Sequence, residues 1–266
     1  MQGYGRPMGD SESQPIRRQP PEWLRVEVSG SRTLAPWLTL VTLSGKPLTT
    51  MDTPGVAASV RLLIPGPDDD DLVIPSWSGN EFLLPSGERP LIRTFTPLRF
   101  DAGSGTLELA VVVHPSGSAS DWVSSAHPGD RAAVSGPGRG WDPPPGLRQI
   151  TLLGDASAVP AIGQVVAALG ADVDCEVHLA VPSRPPESIL APASNVSLRL
   201  HETGSSTASG QALVSAADGI IESRDDCHVW AAGEAAAMQA IRKHLHGTLG
   251  IPRDRTTIRG YWKAGR

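Results

Sequence analysis

The hydrophobic pattern of this chain changes period once, at Trp141-Asp142-Pro143-Pro144-Pro145-Gly146. Upstream, short apolar runs are bounded by Gly and Pro: Leu38 to Leu43, Val60 to Ile64 and Leu107 to Val113. Runs of that length between turn residues predict an antiparallel β-barrel. Downstream, strands alternate with helical stretches. Ile150 to Leu153 precedes a helix from about Val159 to Leu169, and strands around Cys175 and from Val196 to Leu200 follow. Cys227 to Ala231 then precedes a helix from about Glu234 to Leu249, and Arg255 to Arg259 returns as the last strand. That alternation predicts βαβ units on a parallel sheet. The Pro-rich bridge is read as the linker. The expected division is a disordered tail over 1–21, a β-barrel domain over 22–142 and an α/β domain over 147–266. Gly204 to Gly210 is expected to be a flexible loop.

Composition removes several classes of function. Lys plus Arg number 23 against 28 Asp plus Glu, a formal charge of −5, so no global basic field exists to attract nucleic acid. No apolar run approaches the roughly 18 residues needed to span a bilayer, and Arg17 and Arg18 precede no apolar core of a signal peptide. A cytoplasmic protein with no membrane partner is expected. The two cysteines, Cys175 and Cys227, each open an apolar strand-like run and lack C-x-x-C spacing. They read as small buried hydrophobes, which excludes a protein-ligated iron–sulfur cluster. Asp68 to Asp71 is expected to be a solvated loop and not a metal site, because adjacent carboxylates do not converge on one ion.

Three segments carry chemistry. The first is Arg93-Thr94-Phe95-Thr96-Pro97-Leu98-Arg99-Phe100 with His114-Pro115-Ser116-Gly117-Ser118-Ala119-Ser120-Asp121-Trp122. Phe95 beside Thr96 on a barrel strand can cover a flat ring and hydrogen-bond its polar edge. Arg93 can fork onto phosphate, and the turn from Gly117 to Ser120 opens a helix whose N–H groups suit an anion. An ordinary strand and a capped helix explain the same residues equally well. The second is Gly154-Asp155-Ala156-Ser157-Ala158-Val159-Pro160, directly after an apolar strand. Asp155 or Ser157 can cap the helix and Pro160 suits its first turn, where a dinucleotide would lie. It lacks the inner glycines of G-x-G-x-x-G. The third is Ala231-Ala232-Gly233-Glu234, whose small residues admit a ligand close to the backbone.

In this order the segments resemble the siderophore-interacting protein family, flavin-dependent reductases within the ferredoxin-reductase-like group. Pro128-Gly129-Asp130, Gly136-Pro137-Gly138-Arg139-Gly140 and the tail Gly260-Tyr261-Trp262-Lys263-Ala264-Gly265 join the resemblance, which runs from about Trp23 to Arg266. It implies an FAD-binding barrel, an NADH- or NADPH-binding α/β domain, and electron transfer to iron(III) in a ferric siderophore, with release of iron(II). No catalytic acid or base and no protein-bound metal is implied. The cofactor-binding residues it implies are Arg93, Phe95, Thr96, His114, Gly117, Ser118, Ala119, Ser120, Gly154, Asp155, Ser157, Gly233, Glu234 and Trp262. Lys263, Arg266 and Arg259 are the expected cationic rim for an anionic chelate. The alternatives are a reductase donating to a ferredoxin or an oxygenase, and a siderophore or small-ligand carrier without turnover. The family pattern Arg-x-Tyr-Thr-x-Arg differs here in two places, with Phe95 for the tyrosine and Leu98 for the second arginine. His114-Pro115 replaces its usual His-Gly.

Overall fold

A computed structural model describes residues 22–66, 71–114, 117–203, 206–219 and 227–265. The tail expected over 1–21, Asp68 to Asp70 and Arg266 lie outside them.

The first half contains strands β1 (Leu24–Ala35), β2 (Leu38–Ser44), β3 (Val60–Leu63), β4 (Ser76–Trp77), β5 (Phe82–Leu83), β6 (Ile92–Phe95), β7 (Pro97–Asp101), β8 (Thr106–Val112) and β9 (Arg131–Ser135), with helix α1 (Ser118–Ser125) between the last two. Strands β4 and β5 form a separate small hairpin. The rest make one sheet in the order β6-β3-β9-β1-β2-β8-β7, antiparallel throughout. Its outer strands, β6 and β7, are joined by the single residue Thr96. Two edges tied by one residue cannot lie apart, so the sheet curls into the expected barrel-like form. Alternation then fills the inside: Val26, Val28, Val41, Leu43, Leu107, Leu109 and Val111 pack into one core.

The second half contains β10 (Gln149–Asp155), α2 (Val159–Ala168), β11 (Asp174–Val181), β12 (Val196–Glu202), α3 (Ser206–Gly219), β13 (Cys227–Glu234), α4 (Ala235–Lys243) and β14 (Thr256–Trp262). The five strands are parallel in the order β12-β11-β10-β13-β14. The winding reverses between β10 and β13, whose carboxyl ends flank the crevice where ligands of such sheets bind. Close crossovers shape this region. A Cβ on Gly154 would stand 2.5 Å from Ile162, so β10 and α2 meet at a distance only glycine allows.

The two halves share a core. From the first half, Leu38 and Ala110 on the sheet and Trp37, Ala57 and Trp141 on its connecting segments join Val159, Ile162, Val165 and Trp230 of the second half. Gln164 on α2 fastens the joint: its amide nitrogen donates to Pro97 O and its Oε1 accepts Ala57 N–H at 2.8 Å. Covalently linked domains often meet through looser, more polar contacts. Here a continuous apolar core fixes how their edges face each other.

Two expectations fail locally. The segment expected to be a loop from Gly204 to Gly210 is helical from Ser206, the start of α3, while Gly204 and Ser205 lie outside the described residues. Ser and Gly are weak helix formers, but a Cβ on Gly210 would stand only 3.0 Å from Ala237 Cβ, so small residues serve close packing of α3 on α4. The helix expected from Glu234 to Leu249 is α-helical only over Ala235–Lys243, and a π-helical turn, His244–Thr248, follows.

Candidate functional site

Strand β6 carries Arg93 to the rim of the barrel beside the start of α1. Its guanidinium donates to Ser118 Oγ at 2.7 Å and to Ile92 O at 2.9 Å, and the side chain is exposed. Gly117 caps α1 at φ 149° with no side chain bonded to the first helical N–H groups. Those donors therefore face outward beside a cation. The turn is braced from beneath: buried Ser120 accepts His114 N–H at 2.9 Å and donates to Val112 O at 3.4 Å. Asp121, exposed, is the acidic residue of the first turn. Arg93, Ser118, Ala119 and the turn backbone thus fit a pyrophosphate, the charged middle of FAD.

The neighbouring residues explain both departures from the family pattern. Phe95 packs partly into the barrel core, and Thr96 is buried at the corner between β6 and β7. Leu98 joins the apolar core between the halves, where a charged side chain would be desolvated. Arg99 does not replace the missing arginine, because it turns to Glu108 at 3.8 Å on the exposed side.

At the carboxyl edge of the parallel sheet the chain satisfies itself. Asp155 Oδ1 accepts the Ser157 N–H at 2.9 Å and the Ser157 hydroxyl at 2.5 Å. Its Oδ2 accepts Glu234 N–H at 2.8 Å and Trp262 Nε1–H at 2.9 Å. Glu234 caps α4 with its own carboxylate, accepting Ala236 N–H at 2.6 Å and Ala237 N–H at 3.0 Å, while Ala264 N–H reaches Oε1 at 3.3 Å. Burial alone would raise the Glu234 pKa. The backbone donors of Ala237, Ala264 and Ala236, with the charge of Lys263, outweigh it and hold the carboxyl below its ordinary value. A carboxylate of the chain thus occupies the helix start where an anion would bind, while the small residues Gly210, Ala236, Ala237 and Ala264 line a cavity beside Glu234.

Strand β14 joins these two regions. Trp262 lies with its ring centroid 5.7 Å from that of His114. Tyr261 shares a hydrogen bond with Thr96, and burial pushes its phenol above the ordinary range, against the lowering influence of Thr96 and Arg259. Arg259 is not a free rim cation: it donates to Ala57 O at 3.2 Å and Gly140 O at 3.1 Å. Lys263 is exposed, and Arg266 lies outside the described residues. The structure thus gathers Arg93, Thr96, His114, Gly117 to Ser120, Asp155, Ser157, Gly233, Glu234, Trp262 and Lys263 along one seam. Gly154 lies beneath it as a packing glycine, and Phe95 faces partly into the barrel core. Sequence reasoning missed Tyr261 and Gln164. Tyr261 was within reach, since it shares a strand face with Arg259, whereas Gln164 gave no signal within a helix read for its apolar residues. Among the described residues no cluster of three or more His, Cys, Asp or Glu could hold a metal ion, and no helix is long and apolar enough to cross a membrane.

Comparison with known proteins follows this division of the chain. A family model described as siderophore-interacting FAD-binding domain matches residues 27–141, and one described as siderophore-interacting protein matches 147–265. Among solved structures, a siderophore utilization protein from T. fusca is similar with a TM-score of 0.81 and 27% identity, covering 94% of this chain and 96% of that one. The siderophore-interacting protein SipS from Aeromonas hydrophila follows at TM-score 0.77 and 26% identity, over 92% and 93%. The ferredoxin reductase of carbazole 1,9a-dioxygenase, at TM-score 0.62 and 14% identity over 92% and 67%, shares the fold. Among curated relatives, the mycobactin import ATP-binding/permease protein IrtA of Mycolicibacterium thermoresistibile is 31% identical over 78% of this chain, and the chain spans about a quarter (23%) of its length. The ferric vibriobactin reductase ViuB of Vibrio cholerae is 27% identical over 85% of this chain and 84% of its own.

Proposed function

Since the chain belongs to the siderophore-interacting protein family, we propose that it is a cytoplasmic flavin-dependent oxidoreductase that passes electrons from NADH or NADPH through FAD to iron(III) held in a siderophore. The observation that carries this reading is the seam itself. An anion cradle with an exposed cation, Arg93 at the start of α1, lies next to a tail from the other half that brings Tyr261 to Thr96 and Trp262 to His114. The likeness to the Vibrio cholerae reductase supports the choice of acceptor.

Each residue then has a binding or orienting task. Arg93, Ser118 and the α1 backbone would hold the pyrophosphate of FAD, Thr96 would meet the polar edge of the ring, and Phe95 would flank it without a hydroxyl. Bound there, FAD supplies two-electron acceptance from a nicotinamide and one-electron delivery to iron(III). No side chain need move a proton for the metal step. Hard oxygen donors hold iron(II) far less tightly than iron(III), so reduction itself releases the metal. Lys263, exposed at the end of the seam, is the cation for an anionic chelate.

The test is spectroscopic. The purified protein should show a flavin spectrum that bleaches anaerobically with NADH or NADPH and returns on addition of a ferric siderophore. Bleaching without return, or return only with a ferredoxin, would overturn the acceptor. Absence of flavin binding would leave the carrier reading.

A further inference from the structure

Asp155 accepts from three separate parts of the chain. Ser157 follows it, Glu234 opens α4, and Trp262 ends β14. A carboxylate offers about four acceptor sites, and here four donors fill them. The residue is 6% exposed, so those bonds form with little competition from water. Gly233 makes the approach possible: a Cβ there would stand 2.6 Å from Asp155 Oδ2. Trp262, held at its N–H, lies against His114, whose backbone is fixed by Ser120 under the α1 turn. The ladder between β13 and β14 ends at Trp262, paired with Glu234, and beyond it the tail has one described backbone bond, Ala264 N–H to Glu234 at 3.3 Å, so the indole bond is the side-chain tie that steadies the last residues.

We infer that Asp155 is a positioning residue for the acceptor side of the reaction. It is not a ribose ligand, for it has no acceptor left to offer. By holding Trp262 across the seam it fixes where Lys263 stands, and so where an anionic iron(III) chelate is received. The anchoring follows from the geometry, whereas the identity of the acceptor rests on the reductase reading.

The test uses the flavin-loaded protein with its tryptophan indoles labelled by nitrogen-15. The chain has seven tryptophans, and Trp262→Phe identifies the signal of interest. In Asp155→Asn, which turns one acceptor into a donor, and in Gly233→Ala, which displaces the carboxylate, the Trp262 N–H should exchange at least tenfold faster while the other indoles keep their rates. In the same variants the KM for a ferric tricatecholate should rise at least threefold more than the KM for a neutral quinone. Should either variant fail to fold, Trp262→Phe keeps a smaller aromatic ring and removes the donor, and the same KM contrast is expected. Unchanged exchange of the Trp262 indole would overturn the anchoring. Faster exchange with both KM values moving together would overturn the positioning role. A parent protein that reduces the quinone and no ferric chelate would overturn the acceptor reading alone, leaving the exchange result to decide on Asp155.

Discussion

Two helix starts face the seam, and they are finished in opposite ways. At α1 the cap is a glycine, no side chain reaches the first N–H groups, and the cation Arg93 bonds to Ser118 of the first turn, which also carries the exposed Asp121. At α4 the cap is Glu234, whose carboxylate takes two of the first N–H groups, and Asp155 beside it is saturated by donors of the chain. Both ends carry the positive pole of a helix. Only the first leaves it for a ligand. The difference favours the barrel side as the place for the proposed flavin pyrophosphate and makes the end of the parallel sheet a clamp for the C-terminal tail.

Replacing Asp155 by Ala should have the largest effect, and on stability. Four donors would lose their acceptor at a site with little water, a loss on the order of 3–5 kcal/mol. Urea unfolding of the flavin-free protein measures it. A loss below about 1 kcal/mol would mean that the clamp is not a clamp. Arg93→Ala should do the reverse, leaving unfolding of the flavin-free protein nearly unchanged, because the side chain is exposed. It should weaken FAD binding by roughly ten- to a hundredfold, the contribution of a charge-assisted hydrogen bond. If Arg93→Ala unfolded the protein while Asp155→Ala released the flavin, the comparison would be inverted.

Glu234→Gln is a smaller and more pointed test. The amide oxygen can still accept from Ala236 and Ala237, so at neutral pH the loss should be about 1 kcal/mol or less. The acid limb separates charge from shape. In the folded protein the Glu234 pKa is lowered from its ordinary 4.5. A depressed carboxyl contributes stability in full above that ordinary value and loses it as pH falls through the folded one. The parent should therefore lose stability more steeply than Glu234→Gln below about pH 4.5. Parallel acid limbs would show that the carboxylate charge adds nothing to the cap.

The contrast between the helix starts was half legible in the sequence. Arg93 and Gly117 to Ser120 carry their chemistry in residue type and local order, so an anion site could be expected before any coordinates. The opposite finish at α4 depends on Asp155 meeting Glu234 and Trp262 across 79 and 107 residues, and no local pattern encodes such a meeting. The same reason explains Arg259. Its charge and position near the tail marked it for an anionic ligand, yet two backbone carbonyls from the barrel, Ala57 and Gly140, take its donors. The two kinds of sheet followed readily from period, because alternation inside the barrel and the nearly continuous burial of β10, β11 and β13 leave different signatures. Helix α3 did not, since its Ser, Thr, Ala and Gly residues read as a loop until Gly210 is seen against Ala237.

Lys263→Ala should give the smallest effect and the one most dependent on conditions. With Arg259 engaged, Lys263 is the exposed cation of the tail among the described residues, and its charge is felt at Glu234. An exposed charge attracts an anionic chelate weakly and through water. The expected result is a severalfold rise in KM for a ferric siderophore at low salt. Because the Debye length falls from about 10 Å at 0.1 M to about 3 Å at 1 M, parent and variant should converge as salt is added. Flavin reduction by the nicotinamide should respond far less than KM, since the role proposed for Lys263 is with the acceptor alone. Equal KM values at low salt would show that the tail is held in place for packing alone. A difference that survives high salt would point to a direct hydrogen bond from Lys263 to the chelate, and would move it from the rim of the seam to its floor.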